Sequence, residues 1–162
     1  MTTSIAKFMR DLEQAWDTHQ QALLQRRDLA AALASLAAEP VVTHIPAMTG
    51  ATGRQAVERF YADQVFPYLP DDLELRRISR TVDRWRLVDE TTVSFTHDRE
   101  LPWLLPGAEP TFRRAEVLAI AVVGFDRTRI RSQRVLWDHA TLAGQLGLAN
   151  PITAPAATGP AR

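Results

Sequence analysis

Apolar residues near the start recur at helical spacing. Ile5, Phe8, Met9, Leu12, Trp16 and Leu23 fall close to three or four apart, with Asp11, Glu13, Asp17 and Gln20 between them. Asp28 is a favoured N-cap residue and predicts a second helix through the Ala-rich stretch 29–38, closed by Pro40. The β-branched run VVTHI at 41–45 predicts a short strand stopped by Pro46. Thr52 followed by Gln55 has the capping-box pattern. The helix it predicts carries Ala56, Val57, Phe60, Tyr61 and Val65 on one face and ends before Pro67 and Pro70. Beyond Asp71 and Asp72 the period changes from helical to alternating. Strands are expected near 73–81, 86–100, 112–125 and 130–137, separated by polar or Pro- and Gly-containing breakers. A last helix over 140–146 is ended by Gly147 and Pro151. Helices first and strands afterwards make an α+β order, not a βαβ one.

Composition narrows the classes of partner. The chain has 162 residues, 46% hydrophobic and 23% charged, enough for one domain with its own core. Nineteen basic residues balance nineteen acidic ones. Nucleic acid and polybasic membrane attachment both call for a basic excess that is missing here. With no Cys, disulfides, thiolate zinc sites and a cysteine nucleophile are excluded. No apolar run reaches the roughly 18 residues of a membrane span, and the first ten residues lack the h-region of a secretory signal, so a cytoplasmic chain is expected. Residues 1–150 are expected to form the domain. Residues 151–162 (PITAPAATGPAR) are expected to be a disordered tail.

Four segments carry a family resemblance. HIPAMTGATG at 44–53, FYADQVFPYLPDD at 60–72, SFTHDRELPWLLPG at 94–107 and LWDHATLAGQLGL at 136–148 resemble, in that order, the SnoaL-like (polyketide cyclase-like) branch of the nuclear transport factor 2-like superfamily. The resemblance covers about two thirds of the chain. It implies a cone-shaped α+β barrel of the cystatin-like kind, with a bent antiparallel sheet packed on N-terminal helices around a pocket, and frequent homodimers through the outer sheet face. Its members include polyketide cyclases, ketosteroid isomerases and limonene epoxide hydrolases. Pro102 and Phe112 depart from the pattern, which has an acidic residue and a Gly at those places.

Alternation selects the candidate chemistry. Val93, Phe95, His97 and Arg99 share one face, so His97 and Arg99 are expected toward the interior. There His97 is a candidate acid or base, or else a wall residue bonded to backbone. His44 ends its strand at the pocket mouth or holds the loop after it. Tyr61 offers a hydroxyl to a substrate oxygen or to a structural partner. Asp138 is a catalytic carboxylate or the N-cap of the last helix. Glu116 shares a face with Leu118 and Ile120, as a pocket acid or an ion-paired one. Trp16, Trp103 and Trp137 are expected as core or pocket wall. The His residues lack metal-ligand spacing, and the chain lacks dinucleotide and phosphate loops, so neither metal nor cofactor is expected.

Two functions fit these features. One is cofactor-independent acid–base chemistry, of cyclase, isomerase or lactone hydrolase type, on a small hydrophobic carbonyl or polyketide-like molecule. The other is a non-catalytic ligand-binding domain or dimeric scaffold. Limonene-type hydrolysis fits poorly, because Val135 and Trp137 occupy the inward parity of the last strand where an acid would be required.

Overall fold

The computed structural model describes residues 2–149, so the expectation for the 151–162 tail lies outside the described residues. The chain opens with helix α1 (Thr2–Gln20), which runs into a π-helical turn at Gln21–Gln25. Helix α2 (Leu29–Ala34) starts at Asp28, whose carboxylate accepts from the Ala31 N–H at 3.0 Å. It stops four residues earlier than the Ala-rich pattern predicts. Leu36 and Ala37 are buried in strand β1 (Leu36–Ile45), where Leu36 lies opposite Ile130, and that pairing overrides local helix propensity.

Strand β2 (Thr49–Thr52) folds back antiparallel on β1 and was missed by the pattern. Gly50 permits this fold-back. Its φ is +137°, and a Cβ there would overlap the Val42 carbonyl. Thr52 is therefore a strand residue. Helix α3 (Arg54–Phe60) is led by Gly53 with no side-chain cap, which corrects the capping-box reading. A second π-helical turn, Tyr61–Val65, and a 3-10 turn, Phe66–Tyr68, complete that segment.

Four long strands follow: β3 (Glu74–Val82), β4 (Arg86–Thr96), β5 (Arg114–Asp126) and β6 (Arg129–Trp137). Helix α4 (His139–Leu146) ends at Gly147, which has the left-handed φ of +72°. The open sheet has the order β2-β1-β6-β5-β4-β3, with β3 at one edge. All neighbours pair antiparallel except β1 with β6, so the sheet is mixed rather than wholly antiparallel.

The inner sheet face packs on α1 and on the α3 segment. On β4 it presents Leu87, Asp89, Thr91, Val93 and Phe95, all buried. On β5 it presents Ala115, Val117, Ala119, Ala121, Val123 and Phe125. Two alanines in the middle of a long buried face leave space that a Leu or Val would fill. A hollow results.

Candidate functional site

That hollow lies between the sheet and the helices. It has a volume of about 70 Å³ and is lined mostly by apolar surface. Trp16, His19, Gln20, Leu23 and Leu24 come from α1 and the first π-helical turn. Tyr61 and Val65 come from the second. Ala119, Ala121, Gln133, Val135, Trp137 and His44 form the sheet side, with Trp103 from the loop after β4. Both π-helical turns thus build walls of the same cavity, and such turns often mark functional sites. Among the described residues, no Lys, Arg, Asp or Glu belongs to the lining.

The aromatic rings fall into two groups. Trp16 stacks on His19 with centroids 5.7 Å apart, and His19 lies 6.0 Å from Tyr61. On the other side, Trp103 meets His44 at 5.3 Å and Trp137 edge-on at 5.7 Å.

Hydrogen bonding fixes the state of the fully buried His19. Its Nδ1 lies 3.1 Å from the Ala32 carbonyl, which can only accept, so Nδ1 carries the proton. The Ser35 hydroxyl, 2.8 Å from Nδ1, itself donates to Ala32. Nε2 is then a lone pair. The Gln133 side-chain nitrogen donates toward it at 3.0 Å and to the Tyr61 hydroxyl at 2.8 Å. Tyr61 lies 3.3 Å from the same lone pair. Burial pushes His19 down to about 4, against the smaller raising effect of the Ala32 carbonyl, so it is neutral at physiological pH. Burial also lowers His44 to about 4 and raises the Tyr61 hydroxyl well above its ordinary range, although Gln133 pulls the latter back.

Behind Trp16 stands a charged network. The indole N–H donates to Asp89 at 2.9 Å, and Asp89 receives two bonds from Arg80, at 2.9 and 2.8 Å. Arg80 also reaches Asp17 on α1 at 2.8 Å, tying β3 to the helix. Burial alone would lower Arg80, but its two carboxylate partners outweigh that and raise it.

No family model and no curated protein matches the chain. Solved structures do match its architecture. A protein from Shewanella putrefaciens CN-32 named as a SnoaL-like polyketide cyclase aligns with TM-score 0.68 at 16% identity, over 84% of this chain and 85% of its own. An ntf2-like protein of unknown function from Burkholderia pseudomallei K96243 aligns with TM-score 0.65 at 20% identity, over 84% and 97%. This chain has the nuclear transport factor 2-like fold. A third structure of that kind, with a ketosteroid isomerase-like fold, comes from Catenulispora acidiphila DSM 44928 and is in complex with trimethylamine. It aligns with TM-score 0.63 at 12% identity, over 83% and 93%. Identities this low carry the scaffold, and the chemistry must come from the side chains.

Within this nuclear transport factor 2-like scaffold, five of the nine candidate residues line one cavity: His44, Tyr61, Trp16, Trp103 and Trp137. The other four stand elsewhere. His97 is fully buried on the face its parity predicts, but one residue past the end of β4 and outside the cavity lining. Its Nδ1 accepts from the Thr111 N–H at 3.3 Å and faces the Thr111 hydroxyl at 3.1 Å, holding the base of the 97–112 loop. Burial lowers its pKa, partly offset by Asp98. Arg99 lies beyond β4 and binds Asp98, Asp71 and the Leu69 carbonyl. Asp138 is the N-cap of α4, accepting from the Thr141 N–H at 3.1 Å and hydroxyl at 2.6 Å. Those two bonds hold its carboxyl below the usual range.

Glu116 is exposed on the outer sheet face, and its backbone N–H donates to Gln145 at 2.8 Å. The parity of β5 misleads for a physical reason. Leu118 and Ile120 are bulkier than Ala119 and Ala121, yet the small residues share the inward face with the buried Val117 and Val123, and size alone points the wrong way. His19 and Gln133 were missed, although signals existed. His19 continues the Leu12, Trp16 and Leu23 stripe, and Gln133 alternates with Val135 and Trp137. Among the described residues, no group of three His, Cys, Asp or Glu side chains could hold a metal ion, and no helix is long and apolar enough to cross a membrane.

Proposed function

We propose that the chain binds a small, mostly apolar molecule in this cavity. The observation that carries the reading is a lining of three indoles, two neutral imidazoles and a tyrosine without any charged side chain. A volume of about 70 Å³ is roughly half that of the 150 Å³ engineered cavity that takes up benzene. Clefts of about 160 and 280 Å³ adjoin it, and all three share Leu24 and Leu75. A compact guest, or the end of a longer one, therefore fits. The trimethylamine held by the Catenulispora protein of the same fold supports a guest of that scale.

Acid–base catalysis on a carbonyl or polyketide-like substrate is the second reading. The Tyr61 hydroxyl favours it, since Gln133 donates to its oxygen and its proton, engaged only by the long 3.3 Å approach to His19 Nε2, can be turned to a substrate oxygen. Binding has more support, because general-base work at neutral pH calls for a group near that pH. Both cavity histidines sit at about 4, and the candidate carboxylates Asp138 and Glu116 are outside the lining. Limonene-type hydrolysis is disfavoured on the same grounds, with Gln133, Val135 and Trp137 on the inward parity of β6.

The test is to fill the cavity. Ala121→Leu places a larger apolar group on its floor, so a molecule retained by the purified protein in native mass spectrometry should be lost. Affinity for any added ligand should fall about a hundredfold while thermal stability stays within a few degrees. Undiminished binding by the filled variant would place the ligand elsewhere and end the reading.

The outer sheet face supports a homodimer. Val88 and Leu136 are 38% and 40% exposed there, beside the half-buried Leu118, Ile120 and Val122. Leu136→Glu should shift the sedimentation coefficient from dimer to monomer. A wild type that already sediments as a monomer would remove this part of the proposal.

A further inference from the structure

The polar groups of the cavity are not equally committed, and that inequality specifies the guest. The Trp137 indole N–H donates to His44 Nδ1 at 3.2 Å. Nδ1 is thus the lone pair, and the neutral ring carries its proton on Nε2. Nε2–H has no protein acceptor among the described residues, while the ring lines the cavity.

The orientation of the Gln133 amide follows from a chain of bonds. The Ala32 carbonyl fixes the proton on His19 Nδ1, so Nε2 is a lone pair. A lone pair requires the amide to turn its nitrogen, not its oxygen, toward the ring. Both hydrogens of that nitrogen are then taken, by His19 and by Tyr61. The Gln133 carbonyl oxygen is left without a protein donor among the described residues. His44 pairs with Val135 across β1 and β6, and Val42 with Gln133, so the free N–H and the free oxygen stand two residues apart on one floor.

We infer that the guest is a neutral molecule whose polar end carries both an acceptor, for His44 Nε2–H, and a donor, for the Gln133 oxygen, as a primary amide or a hydroxy-carbonyl group does. This deepens the binding reading and rests on it. A guest seated in the cavity would bury both groups, so one that satisfies both is favoured over one that leaves either unpaired. A charged guest finds no counter-charge in the lining.

The experiment compares six-carbon compounds that differ only at one end: hexanamide, 2-hexanone, 1-hexene, hexanoate and hexylammonium. Tryptophan fluorescence reports binding, since three of the four Trp residues line the cavity. Hexanamide should bind about tenfold more tightly than 2-hexanone, and 2-hexanone about tenfold more tightly than 1-hexene. The two ions should bind more weakly than the ketone. In His44→Phe the ketone should lose its advantage over the alkene. In Gln133→Met the amide should lose its advantage over the ketone.

The outcomes separate the two claims. If 1-hexene binds and hexanamide binds no better, the cavity takes guests but the donor–acceptor assignment is overturned. If either ion binds most tightly, the assignment of a neutral guest is overturned. If none of the five binds, the binding reading itself fails. The wild-type series decides between these even where a variant does not fold.

Discussion

Asp89→Ala should lower the free energy of unfolding by about 3–5 kcal/mol, the usual result of removing one partner of a buried ion pair. Asp89 is 2% exposed and accepts three bonds, one from the Trp16 indole and two from Arg80. Its loss leaves the buried Arg80 guanidinium with only the part-exposed Asp17 as counter-charge, and leaves the Trp16 N–H unpaired. The penalty comes from the charge left behind more than from the attraction lost. The double variant Arg80→Met with Asp89→Leu should therefore recover much of the stability. Urea titrations of wild type, single and double variants measure this. A double variant no more stable than Asp89→Ala would show that the pair itself was the source. Function should follow, because Trp16 is a cavity wall held in place by this carboxylate.

Acid should destabilise the fold before its carboxylates titrate. The folded pKa of His19 is about 4, against 6.5 for the free side chain. A histidine with a depressed folded pKa contributes full stability above the unfolded value. Between pH 6.5 and 4 the unfolded chain takes up a proton that the folded chain refuses, so stability declines through that window and levels off below it. For the fully buried His19 the loss amounts to about 3 kcal/mol. His44 acts in the same direction, with a smaller share because its ring is part-exposed. Asp72, Asp83, Asp98 and Asp138 are held below their ordinary value, so their contribution is present above about pH 4 and fades at lower pH. Urea midpoints at pH 7, 5.5 and 4.5 isolate the histidine window. His19→Gln should flatten most of the slope there. A wild-type midpoint constant from pH 7 to 4.5 would contradict the neutral assignment.

The fold was readable from the chain wherever period and punctuation agreed. The four long strands, the Asp28 cap and the Gly147 stop each have a local cause, and the structure places them within a few residues of the pattern. Pairings with non-local causes were not readable. Nothing in the wording of 36–40 announces that this segment leaves the helix to lie parallel to β6, since the partner is more than ninety residues away. The site was legible in its aromatic half alone. Trp16, Tyr61, Trp103, Trp137 and His44 are conspicuous residue types at inward positions. His97 drew attention for the same reason, although its partner is a loop threonine. Gln133, a neutral amide among polar neighbours, is marked only by its alternation with Val135 and Trp137. Only its bonds to His19 and Tyr61 give it meaning.

The dimensions of the cavity rest on the methyl groups of Ala119 and Ala121, both on one strand, while the indoles and imidazoles of its lining are supplied by other elements. Capacity and recognition are thereby separable. Exchanging either alanine for glycine, serine or valine would change the space by about one or two heavy atoms without touching the polar groups of the lining. A single architecture can in this way be regraded in capacity through changes at two codons.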